Sequence, residues 1–274
     1  MSKKNRRAKT RGRFQEHIGG PLAEGVDDLF INMAFKNPRV GDRATRASVV
    51  ARVASAAQTY PEAESRGALF PKPLLPKYQL RKSRSLKGGA ARDLRWESAY
   101  QALDDGHAQT LARLPRNQTC QARWFRHDTP GPVVICLHGW GVGYLGMEEH
   151  TFEVAKLYRQ GLDVVLFSLP FHGRRSPWTR RGPMFPTSDP SRTNEGFAQG
   201  IMDRRALIQI LRAEGAGTLG VAGMSLGAFT ASLLATVEEG LDFLIPIIGF
   251  GSLGELVWDH IEGSPMADLA LSRG

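Results

Sequence analysis

Gly223-Met224-Ser225-Leu226-Gly227 sets a serine hydroxyl between two residues that carry no side chain. A glycine two positions away on each side has a steric meaning where the chain turns sharply from a strand into a helix, because strand and helix then approach closely around the turn. The flanking sequence supplies both partners: Thr218 to Gly223 reads as a strand and Leu226 to Glu239 as a nearly all-apolar helix. This is the spacing of a nucleophile elbow. Ser225 would stand at the carboxyl end of a sheet, beside a helix whose free N–H groups and positive dipole end favour an oxyanion forming nearby. The chemistry that suits this placement is attack of the hydroxyl on a carbonyl carbon. The plain alternative is an ordinary glycine-flanked turn serine on an α/β scaffold.

Two further pieces follow apolar runs in the same manner. His138-Gly139-Trp140-Gly141 comes directly after Pro132 to Leu137, with Gly141 permitting a tight loop, and Leu169-Pro170-Phe171-His172-Gly173 closes the run Leu162 to Leu169.

Holding three such loops at one edge requires a sheet. From about Asn117, Thr119 to Phe125, Pro132 to Leu137, Leu162 to Leu169, Thr218 to Gly223 and Asp242 to Ile248 read as strands. Between them, Glu148 to Arg159 reads as a helix stopped by Gly161. Asn194 to Ala213 is another, capped by Asn194, with Phe197, Ile201, Leu207, Ile208 and Leu211 on one face. Strands alternating with helices imply an α/β fold with a mostly parallel sheet and helices on both faces, since parallel neighbours need crossover connections. Residues 116–274 are expected to form this core. Residues 1–20 are expected to form a basic disordered arm. Residues 21–115 read as an accessory segment, with short helices at Asp27 to Phe35 and Ala47 to Tyr60, the latter striped by Val49, Val50, Val53 and Ala57. Within it, Pro71, Pro73 and Pro76, the basic Lys77, Arg81, Lys82, Arg84 and Lys87, and Gly88-Gly89 suggest a linker or surface crossing.

In order and spacing, the three pieces make the region from about Asn117 to Phe250, roughly half of the chain, resemble an α/β-hydrolase core. The resemblance implies that Ser225 is the nucleophile and that the backbone N–H groups of Leu226 and Trp140 form the oxyanion hole. His138, Gly139, Gly141, Gly223 and Gly227 would support the loop and the elbow. His138 reads as a brace rather than the base, because the family's base comes last in the chain, and His172, standing where the family often has the histidine of a Pro-Gly-His-Gly turn, reads as structural. Phe171 stands where the family usually has glycine, and Ser168 where it often has aspartate. The implied partner is a small-molecule or acyl substrate bearing an ester, thioester or amide, and no metal or organic cofactor is required. Esterase is the reaction class implied by analogy, while peptidases and acyltransferases use the same parts. Trp178, Met184 and Phe185 could belong to a cap over the site or to packing.

An elbow serine needs a histidine to take its proton and an acid to orient that histidine; the family places both downstream of the serine. Phe250 is followed by 24 residues, while each further strand with its crossover takes about 30. The expectation is therefore a truncated hydrolase core whose last strands are missing. His260 with Asp259 or Glu255 could form an abbreviated triad, but adjacent helical residues point about 100° apart, and a polar helix face is the other reading. Glu238, Glu239 and Asp242 are expected at the edge opposite Ser225. The run Phe243 to Ile248 is apolar on both faces, which suits an internal strand, whereas Pro246 suits an edge. The rival function is a non-catalytic binding or interaction module on the same scaffold.

Composition bounds these readings. A chain that is 42% hydrophobic and 23% charged folds rather than remaining disordered. Seven cations and no acid fall within Met1 to Arg13, so most of the formal charge of +9 belongs to the arm; a solvated tail is expected rather than a nucleic-acid reader. Cys120 and Cys136 can build neither a disulfide framework nor a closed zinc site. With no secretory signal pattern and no run of about 20 apolar residues, a cytoplasmic location is expected.

Overall fold

The computed structural model describes residues 43–60, 69–176, 185–187 and 189–261. It divides into two compact units, residues 47–251 and residues 1–46 with 252–274. The basic arm and Asp27 to Phe35 lie outside the described residues. No helix among the described residues is long and apolar enough to cross a membrane.

The larger unit is built on one seven-stranded sheet. A first helix, Arg43–Thr59 (α1), is mostly exposed over its described part; Val53 of the expected stripe is 51% exposed and Ala56 is the buried residue. Tyr78–Leu86 (β1) and Gly89–Glu97 (β2) follow, then two short helices, Asp105–Ala112 (α2) and Pro115–Gln118 (α3), and the strands Thr119–His127 (β3) and Val133–Leu137 (β4). Leu145–Thr151 (α4) and Val154–Arg159 (α5) lead to Asp163–Phe167 (β5). Pro190–Ala213 (α6), Leu219–Met224 (β6), Leu226–Ala235 (α7) and Phe243–Ile247 (β7) complete the unit. The smaller unit contributes the helix Leu253–Ile261 (α8).

The strand order is β1-β2-β3-β5-β4-β6-β7. β5, β4, β6 and β7 run parallel, whereas β1, β2 and β3 are antiparallel to one another and β3 is antiparallel to β5. The fold is α/β as expected, and its parallel half carries all three motifs. Residues 78–89, expected as part of a linker or surface crossing, instead form, with residues 90–97, a hairpin of the sheet. Gly88, at φ +71, closes its two-residue turn. Of the cations that suggested a surface crossing, Arg81, Lys82 and Arg84 lie on an exposed edge strand, where charge discourages pairing with other chains. β2 carries the apolar side of the hairpin, burying Ala90, Ala91, Leu94 and Trp96.

β4 and β5 are buried at all five positions, which requires cover on both faces. On one face Val134, Cys136, Val164, Leu166 and Ala222 pack with Phe152 and Val154; the two-residue period turns Ile135, Leu137, Val165 and Phe167 to the other. The single helix expected over Glu148 to Arg159 is in fact two, broken at Glu153 with φ 46. The break lets both Phe152 and Val154 reach the core, and it interrupts the helical hydrogen-bond ladder. α6 begins at Pro190 rather than Asn194: Asp189 accepts from the Arg192 N–H and proline takes the first turn, so Asn194 is an exposed helical residue. α7 ends at Ala235, short of Glu239, and lies against β4, β6 and β7 while packing on α6. β7 pairs with β6 alone among the described strands. Pro246 therefore sits at an edge, opposite Gly223, and Ile245 remains 48% exposed.

Candidate active site

Ser225 occupies the turn between β6 and α7 with φ 52 and ψ −114, and its side chain makes no capping hydrogen bond. Its N–H donates to the Ile247 carbonyl at 2.9 Å, so pairing between β6 and β7 continues into the turn, while its own carbonyl accepts from Phe229 N–H at 3.1 Å to start the helix. An L residue at this φ costs about 1–3 kcal/mol, offset here by burial of a helix whose apolar residues include Leu226, Ala228, Ala231 and Leu234. Both neighbouring glycines are dictated by close approach. A Cβ on Gly223 would lie 2.2 Å from the Gly227 oxygen, and one on Gly227 would lie 2.0 Å from the Leu137 oxygen and 2.8 Å from that of His138. The first turn of α7 is thus pressed against the end of β4, where the second loop begins.

That loop reaches the serine. A Cβ on Gly139 would stand 3.8 Å from Ser225 Cβ; Trp140 follows, partly exposed, and Gly141 turns the chain at φ +83. Leu226 is fully buried. The structure therefore brings together the segments carrying Gly139, Trp140, Gly223, Ser225, Leu226 and Gly227.

His138 is buried with both ring nitrogens engaged. Its Nδ1–H donates to the Gly139 carbonyl at 2.7 Å and its Nε2 accepts from Leu169 N–H at 3.0 Å, tying the loop after β4 to the loop after β5. Burial, with His172 and two arginines nearby, pushes its pKa down to about 3, and a protonated Nε2 would face the Leu169 donor. His172 lies 5.0 Å away between ring centroids. Its Nδ1–H donates to Pro170 oxygen at 2.8 Å, and burial lowers its pKa to about 4. Phe171 is held at φ 59, and its N–H donates to Asn117 Oδ1 at 2.8 Å.

Two groups escaped the sequence reading. Glu148 is buried and accepts from Gly143 N–H at 3.0 Å; loss of solvent raises its pKa. Arg175 and Asp203 form a fully buried ion pair at 2.7 Å, with Arg175 also donating to the carbonyls of Asn117 and Ser168. Their sequence contexts look like ordinary polar positions, and only the helix break before α5 and the all-round burial of α6 turn them inward.

The downstream candidates are dispersed. Glu238 pairs with Arg205, and Asp242 accepts from Leu219 N–H. Asp242 precedes β7, at the end remote from Ile247 and Ser225, a separation of about 16 Å along the strand. Glu255 and Asp259 are exposed on α8, and the His260 side chain lies outside the described residues. Of the candidate cap residues, Trp178 and Met184 also lie outside them. Phe185 is buried and packs edge-on against Phe197, with ring centroids 4.8 Å apart.

Residues 64–253 match the family described as alpha/beta hydrolase domain containing 18. Uncharacterized proteins from two strains of Mycobacterium tuberculosis are each 36% identical over 137 residues, which is 49% of this chain and 33% of theirs. The match thus spans about a third of the length of these relatives. Among solved structures, the chain is similar to acetyl xylan esterase 1 from Thermoanaerobacterium sp. JW/SL YS485, with 15% identity, coverage of 83% of this chain and 66% of that one, and a TM-score of 0.48. It is also similar to a cold-adapted esterase from an Arctic intertidal metagenomic library, with 20% identity, coverage of 61% and 64%, and a TM-score of 0.41. The family match takes in all seven strands together with the turn at Ser225, and the chain belongs to the alpha/beta hydrolase domain containing 18 family.

Proposed function

We propose that the chain acts as a serine hydrolase on an ester, thioester or amide carbonyl, with esters the first class to test. Ser225 Oγ attacks the carbonyl carbon and loses its proton as the new C–O bond forms. The tetrahedral oxyanion is held by the Leu226 and Trp140 N–H groups, and the alcohol, thiol or amine departs protonated. Water then attacks the acyl group on Ser225 and releases the acid. Gly223 and Gly227 allow the elbow to close, Gly139 and Gly141 allow the loop to approach it, and His138 braces that loop. A separate base takes the hydroxyl proton, since His138 already spends both nitrogens on backbone groups. The observation that carries the reading is a non-glycine residue at φ 52, between two glycines that close packing requires, with the His138 loop near enough that a Cβ on Gly139 would stand 3.8 Å from that of Ser225. Strain of this kind persists where the surroundings enforce it, and it clusters at functional sites.

A fluorophosphonate probe tests this. Labelling of the folded protein should fall at least about a thousandfold in Ser225→Ala. A folded wild-type protein that does not label supports the binding-module reading instead.

A further inference from the structure

The loop that approaches Ser225 is fixed by a carboxylate that plays no part in the reaction just described. Gly143 lies three residues beyond Trp140 at φ +105, and its peptide groups are held from several sides. Its N–H donates to Glu148 Oε1 at 3.0 Å, and its carbonyl accepts from Ser168 Oγ at 3.0 Å. A Cβ at this position would lie 2.6 Å from His138 Nε2 and 3.0 Å from His172 Cβ. The segment from His138 to Gly143 is therefore tied at its first residue by the imidazole and at its last by the carboxylate and the hydroxyl, with Trp140 between the anchors.

Both anchors at Gly143 come from the interior. Glu148 is on α4 and is 3% exposed, and Ser168, 2% exposed, follows β5. A short loop containing three glycines has many accessible backbone directions, so the orientation of any one N–H depends on what pins its ends. Donors that act on a transition state must already point at the developing charge, because reorientation during the reaction forfeits most of their effect.

We propose that Glu148 is a positioning residue: by fixing the Gly143 peptide, together with Ser168, it directs the Trp140 N–H toward the oxyanion formed at Ser225. The proposal rests on the serine-hydrolase reading above, and on Glu148 acting through the loop rather than touching substrate.

The test uses the full chain and the time course of fluorophosphonate labelling, resolved into a maximal rate and a half-saturating probe concentration, with thermal melting as the check on folding. Glu148→Gln keeps an acceptor oxygen toward Gly143, and its maximal rate should stay within about threefold of wild type. Glu148→Leu removes the acceptor at similar size; its maximal rate should fall about 10- to 100-fold, with little change in the half-saturating concentration. Ser168→Ala loosens the same peptide from its other side and should lower the maximal rate several-fold; it carries the test if the leucine variant does not fold. A folded Glu148→Leu protein labelled at the wild-type rate overturns the proposal, as does a fall in Glu148→Gln equal to that in Glu148→Leu. A folded wild-type protein that is never labelled overturns the Ser225 reading itself, so the two failures are distinguishable.

Discussion

His138, His172 and Glu148 are buried titratable groups around one loop, and they respond to pH in opposite senses. The two imidazoles have folded pKa values of about 3 and 4, below the unfolded value of about 6.5. Over that interval the unfolded chain binds more protons, so the stability they allow is complete above about pH 6.5 and is lost as pH falls through the folded values. For Glu148 the folded pKa is raised by desolvation; its ionised form is penalised at neutral pH and relieved on acidification. The melting temperature should therefore fall from pH 6.5 to pH 4, and Glu148→Gln, which lacks the opposing relief, should show the larger drop. A wild-type melting temperature that rises over this range would contradict a neutral histidine pair.

At the scale of elements, α6 is the spine that joins the site to the rest of the sheet. Its Asp203 receives Arg175 from the loop after β5 and the Ser98 hydroxyl from the end of β2. Its Gln199 receives Asn117 Nδ2 from the short helix α3 before β3, and Glu195 meets the hydroxyls of Tyr60 and Tyr100. Four separate segments are thus tied to one helix by buried polar groups, which explains why α6 is buried nearly all round. Removing one partner of such a pair strands the other charge in the interior. Asp203→Ala should cost about 3–5 kcal/mol in urea unfolding; a loss below about 1 kcal/mol would mean that the guanidinium finds water on rearrangement.

For the larger unit as a whole, the antiparallel strands β1 to β3 are continuous with the parallel strands that carry the motifs. Trp96 on β2 stacks on Phe167 of β5 with ring centroids 6.0 Å apart, bridging the β3 strand that lies between them. The hairpin is therefore expected to unfold with the core. Trp96→Ala should lower stability by about 3–5 kcal/mol in a single transition seen equally by far-ultraviolet circular dichroism and by fluorescence. Two resolved transitions would show that residues 78–97 form an appendage.

The elbow and the two loops were legible in the sequence because each depends on short-range sterics: glycines at Gly223 and Gly227 mark where backbones touch, and apolar runs mark the strands before each loop. The α/β class followed from the alternation of those runs with helices. What the sequence left open depends on neighbours distant along the chain. The basic run at Lys77 to Lys87 resembles a linker until β2 pairs with it, and Phe243 to Ile247 shows no preference for interior or edge until the strand order places it outermost. Glu148 looks like any helical glutamate until a left-handed residue at Glu153 splits the helix and the first half turns it under Gly143. Local spacing records where a backbone must bend. Which buried carboxylate then fixes the bend is decided by packing, because a group's partner, charge state and burial are properties of the assembled interior.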